Sequence, residues 1–124
     1  MSATNMESFA FDGLETGRMQ CHIDDRTLLL GQSGVRGTIM SMITATGKYV
    51  IWNQSSGGGA EIPRAILMKD ADASLADVPC KIYSFGEFDE NKLILGTGDV
   101  ISDILRNTLA VNGIYLVKGQ IATP

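Results

Sequence analysis

Few side chains in this sequence stand at spacings that could do chemistry. Cys21, His22 and Asp24 offer a thiol, an imidazole and a carboxylate, the ligand types that zinc takes. Adjacent ligands crowd a tetrahedral site, and Cys80, the other cysteine, is remote, so no metal is expected and both cysteines read as reduced thiols. GQSGV, from Gly31, starts like a nucleophile elbow but has Val35 where the motif needs glycine, and the only histidine lies near the start of the chain. GTGDVI, from Gly96, opens like a dinucleotide fingerprint but has Ile101 in place of the third glycine. TATGKY lacks the P-loop pattern, with Met42 at the first glycine position and Tyr49 at the hydroxyl position. DADASL, from Asp70, resembles a calcium loop, yet Leu75 replaces its glycine and Lys81 its bidentate glutamate. Glu87, Asp89 and Glu90 read as a solvated turn between strands. No catalytic, cofactor-binding or metal-binding residue is assigned, and no cofactor is expected.

Composition narrows the class of partner. A chain of 124 residues, 44% of them hydrophobic, makes one globular domain with a single modest core. The net charge is −4, and much of it lies early, where Glu7, Asp12, Glu15, Asp24 and Asp25 face only Arg18 and Arg26. That sign repels phosphates, so nucleic-acid binding is not expected. The apolar runs are too short to cross a bilayer, and no secretory signal is visible at the start, so synthesis in a cytoplasm and no membrane partner are expected.

The elements that would position these residues are mostly strands. Residues 1–24 lack sustained periodicity and read as a flexible arm, with residues 25–124 as the single domain. TIMSMI alternates like a strand, Gly47 sits where a turn needs positive φ, and KYVIW returns as the second arm of a hairpin. AILM, CKIYSF, residues 91–95 and IYLV are further strand candidates. One helix is expected over residues 99–110, because Val100, Ile101, Ile104, Leu105 and Leu109 recur at helical spacing before Asn112 and Gly113 stop it. Leu105 should face inward and Asn107 outward. The NQSSGGG loop after Trp52 reads as a mobile tip.

The order of RTLLLGQSGVRGTIM, TATGKYVIWNQSSGGG, AILMKDADAS, CKIYSFGEFDENKLIL and DILRNTLAVNGIYLV resembles the head decoration proteins of lambda-like tailed bacteriophages, the capsid-stabilising protein D family. The likeness covers about residues 25–118. It rests on Arg36-Gly37 before the first core strand, Lys48-x-Val50-x-Trp52 before the glycine-rich loop, Ala65-Ile66-Leu67, and Gly113-Ile114 before the last strand.

The resemblance implies a mostly β domain with one helix (α+β), β-clip-like, with a flexible N-terminal arm. It implies a homotrimer that is no enzyme and that binds the major capsid protein on the outside of the expanded head, at three-fold positions, and stabilises it. On this reading the arm carries the capsid-binding residues Phe9, Ala10, Phe11 and Leu14, which would pair with a free strand edge. Trp52 is either a core anchor or a trimer contact. The readings from other classes are a trimeric β-clip nucleotide hydrolase of the deoxyuridine triphosphatase type and a small-ligand module around Gly57–Gly59.

Overall fold

A computed structural model describes residues 13–96 and 99–118. The strands run in chain order as β1 (His22–Leu28), β2 (Ser33–Gly34), β3 (Ile39–Met42), β4 (Tyr49–Ile51), β5 (Ala65–Leu67), β6 (Ala71–Asp72), β7 (Val78–Asp89) and β8 (Ile114–Val117), with one α-helix, α1 (Asp103–Val111). The mostly β class with a single helix is as expected. The main sheet has the order β1-β4-β3-β5-β7-β8, and β1 also pairs with β7, so the first five strands of that order close into a barrel while β8 lies outside it along β7. β2 and β6 form a separate short ribbon.

Successive residues of a strand point to opposite faces, and the wall β3-β5-β7 uses both. Ile39 pairs with Ile66 and Ile66 with Tyr83, and this row enters one cluster together with Leu14, Trp52, Phe88, Leu105, Leu109 and Ile114. Their neighbours Met40, Leu67 and Ile82 enter a second cluster with Leu28, Tyr49 and Cys80. A wall buried on both faces needs apolar residues without alternation, which is why Ala65–Leu67 is continuous in apolar type. The β3–β4 hairpin forms as expected, with Gly47 at φ +78°.

Four elements differ from expectation. β1 begins at His22, inside the segment expected to be an arm, and pairs antiparallel with β7 from His22↔Phe85 to Leu28↔Val78. Its sequence, HIDDRTL, gives no hydrophobic period because the ladder and exposed ion pairs hold it, Lys81–Asp25 at 2.6 Å and Arg26–Asp24 at 3.4 Å. β7 continues through Gly86 to Asp89, and the acids expected on a solvated turn are buried, with Glu87 at 7%, Asp89 at 2% and Glu90 at 8% exposure. No strand forms over residues 91–95: a 3-10 turn, Glu90–Lys92, stands at their start, and the Asp89 carboxylate caps it by accepting from Asn91 N, its second amide. The only strand-like pairing there is an isolated bridge, Thr38↔Ile94.

The helix starts later than its apolar pattern suggested. Ser102 is extended and its hydroxyl accepts from Leu105 N at 3.2 Å, an N-cap that places residues 99–101 before the first turn. Leu105 and Leu109 are buried, and Asn107 is exposed, as the spacing implied. Ile104 and Val100 are not on the inner stripe: they are 78% and 59% exposed.

Candidate functional site

The start of the described chain is packed, not free. Leu14 is 1% exposed in the core cluster, its carbonyl accepts from Asp89 N at 2.9 Å, and Thr16 N donates to Glu87 O at 3.2 Å beside the isolated antiparallel bridge Glu15↔Phe88. Residues 14–16 thus lie along one side of the end of β7 while β8 covers the other. The expectation for Leu14 is corrected here: a side chain inside the core presents nothing to a partner. The arm boundary expected at residue 24 also moves toward the N-terminus, at least to residue 13. Phe9, Ala10 and Phe11 lie outside the described residues.

Side chains tie this segment down. The Tyr83 hydroxyl donates to Glu15 Oε2 and accepts from Arg36 Nη1 at 3.0 Å, while Arg36 Nη1 also donates to Met68 O at 2.7 Å. Arg36 Nη2 stands 3.7 Å from Glu15 Oε1, with both side chains largely buried, and the guanidinium carbon sits 5.7 Å from the centre of the Tyr83 ring. Burial, followed by the Glu15 carboxylate beside it, raises the Tyr83 phenol well above the usual tyrosine range, so it remains a donor at any working pH. One residue on, the Thr16 hydroxyl donates to Glu87 Oε1 at 2.7 Å, and Arg18 Nε meets the same oxygen at 3.1 Å. Sequence reasoning missed Glu15, Arg36, Tyr83 and Glu87 as a group. The one local signal was the Arg36-Gly37 pair, since partners some seventy positions apart carry no periodicity.

Trp52 has a structural answer. It is 5% exposed in the core cluster, and its indole Nε1 donates to Glu61 O at 2.9 Å. The loop that follows curls back over it: Thr44 N donates to Gly58 O at 3.0 Å and Gly59 N to Glu61 Oε1 at 3.0 Å. Gly59 is buried at φ +107°, and a Cβ there would lie 2.3 Å from the Met42 carbonyl oxygen. The expected mobile tip is therefore packed at its C-terminal end. An open groove beside it, lined in part by Gln32, Ile51, Trp52 and Asn53, has Asp99 as its one charged side chain among the described residues.

The zinc-like triplet does not converge. His22 Nε2 lies 3.0 Å from Asp24 Oδ1 at the surface, whereas the Cys21 thiol is half-buried against Met19 O, and burial pushes it up to about 11. Among the described residues no group of three His, Cys, Asp or Glu side chains could hold a metal ion. A further buried carboxylate, Glu90, is held by both Arg106 Nε at 2.8 Å and Arg106 Nη2 at 3.0 Å, and this guanidinium keeps it below the usual glutamate range. A carboxylate depressed in the folded state stabilises the fold above its unfolded pKa, and that stability is lost as pH falls through the folded value. The melting temperature of the wild type is therefore expected to drop as pH is lowered below the ordinary glutamate range. Arg106→Gln should flatten that part of the profile, and an unchanged profile would mean that the pair carries no pH dependence.

A closed β-barrel with a single helix, whose buried carboxylates Glu87 and Glu90 are held by the chain's own side chains, defines a small β-rich structural domain. Residues 14–109 match the family model of the bacteriophage lambda head decoration protein D, and the chain belongs to that family. Its role is thus that of a phage head decoration protein, associated with the capsid of the virion. No curated protein matches the chain.

Proposed function

We propose that the protein binds the outer surface of the expanded phage head at its three-fold positions, as a homotrimer made in the host cytoplasm, and stabilises the head by association alone. The observation that carries this reading is the family match over residues 14–109. The partner is the major capsid protein. Residues 1–12 form the capsid-binding arm, in which Phe9, Ala10 and Phe11 have the alternation that suits adding a strand to an exposed sheet edge. Ordering such an arm costs about 1–2 kcal/mol per residue, so several arms on one trimer are what make weak contacts durable.

The surface that suits a self-contact is the outer stripe of α1. Ile104 and Val111 on α1 are 78% and 86% exposed, Val100 just before it is 59% exposed, and Asn107 and Thr108 beside them are uncharged, on a chain of net charge −4. Copies of like charge meet most easily where neither presents it. Mixing the protein with undecorated expanded heads is expected to give saturable binding and heads that resist heat. Light scattering after size exclusion should return a trimer for the wild type and a monomer of unchanged circular dichroism for Ile104→Asp. A wild-type monomer at all concentrations, or turnover of nucleoside triphosphates with magnesium, would overturn the reading.

A further inference from the structure

Residues 13–18 form a strap across the end of β7, and its hold is unusual. The strap's backbone contributes one isolated bridge, Glu15↔Phe88, with Thr16 N donating to Glu87 O at 3.2 Å and Asp89 N to Leu14 O at 2.9 Å. So short a pairing specifies register weakly, and a slip by one residue would turn Leu14 out of the core. The register is pinned instead by polar side chains: Glu15 on Tyr83 and Arg36, and Glu87 on Thr16 and Arg18. Burying Glu15 and Arg36 is a poor way to add stability, since apolar residues of similar volume would do as well or better. What a buried, satisfied pair gives is a unique arrangement.

We infer that Glu15, Arg36 and Tyr83 are positioning residues that lock the strap and so fix the place of Gly13 and Leu14, from which the proposed capsid-binding arm starts. The inference rests on the reading that residues 1–12 are that arm. Gly13 lies two residues from Glu15, so a locked Glu15 fixes where the strap begins in every copy. A fixed starting point lowers the freedom an arm loses on binding and keeps the spacing between arms constant in an oligomer, and both raise the strength of joint attachment.

The test pairs hydrogen exchange of the free protein with binding to undecorated expanded heads of the cognate phage. In Glu15→Ala the amides of Thr16 and Asp89 are expected to exchange on the order of tenfold faster, with the Val50 and Ile66 amides unchanged, as local opening of the strap requires. Glu15→Gln, which keeps an acceptor for the Tyr83 hydroxyl, should recover part of the protection. Head binding should weaken about tenfold in Glu15→Ala and less in Glu15→Gln, as loss of pre-organisation predicts. In a chain starting at residue 13 the Glu15→Ala change should make no further difference to binding. Strap amides as slow as in the wild type, or barrel amides accelerated by the same factor, would show that Glu15 is either idle or merely structural. If truncation abolishes binding while Glu15→Ala leaves it intact, the lock falls and the arm stands. If truncation leaves binding at wild-type strength, the arm reading falls first and takes this inference with it.

Discussion

Trp52→Ala is expected to lower the stability of the free protein by about 3–5 kcal/mol, the range for deleting a large buried aromatic. The indole is 5% exposed and packs in the cluster that also holds Ile39, Ile66 and Met68, so its removal leaves a cavity where the barrel wall meets the loop. The change also takes the donor from Glu61 O, to which Nε1 lies at 2.9 Å, and frees the loop that this bond closes. Trp52→Phe separates the two contributions. It keeps most of the apolar contact and loses the hydrogen bond, whose net worth is about 0.5–1.5 kcal/mol, so it should fall well short of the alanine variant. Denaturant unfolding measures both. An alanine variant that unfolds like the wild type but no longer self-associates would instead make Trp52 a subunit contact.

Leu14→Ala is expected to cost about 2–5 kcal/mol, as for other fully buried leucines, and this separates a core residue from an arm residue. Leu14 shares its cluster with Tyr83 and Phe88, whose rings are 4.9 Å apart, and no other described residue before Cys21 enters that cluster. A chain beginning at residue 13 keeps every described core side chain and should melt as the wild type does. A chain beginning at residue 25 loses Leu14, the Glu15 carboxylate beside Arg36, the Thr16 and Arg18 partners of Glu87, and the first half of the β1–β7 ladder, and should be far less stable or fail to fold. Equal melting of the two truncated chains would return the boundary to residue 24.

Several features were legible in the sequence because their signals are local. The alternation of Ile39–Met42 and Tyr49–Ile51 around Gly47 specifies a hairpin, since a period of two and a residue at φ +78° are properties of neighbouring positions. Leu105 and Leu109, four apart, point inward from one helix face, and Asn112 and Gly113 end it. The order of such segments also carried the resemblance to the decoration proteins, which the family match over residues 14–109 supports.

Tertiary structure decided the rest. HIDDRTL becomes a strand only because the long β7 stands ready to pair with it, and Glu87 and Glu90 go under cover only because Thr16, Arg18 and Arg106 arrive to satisfy them. Ile104 faces outward although its spacing allowed the inner stripe, because the Ser102 cap starts the helix late and the narrow core takes only Leu105 and Leu109. Leu14 belongs to the core for the same kind of reason. A lone apolar residue among polar ones has no period of its own, and its place is set by a contact with Phe88, far along the chain, that exists only once the barrel has closed.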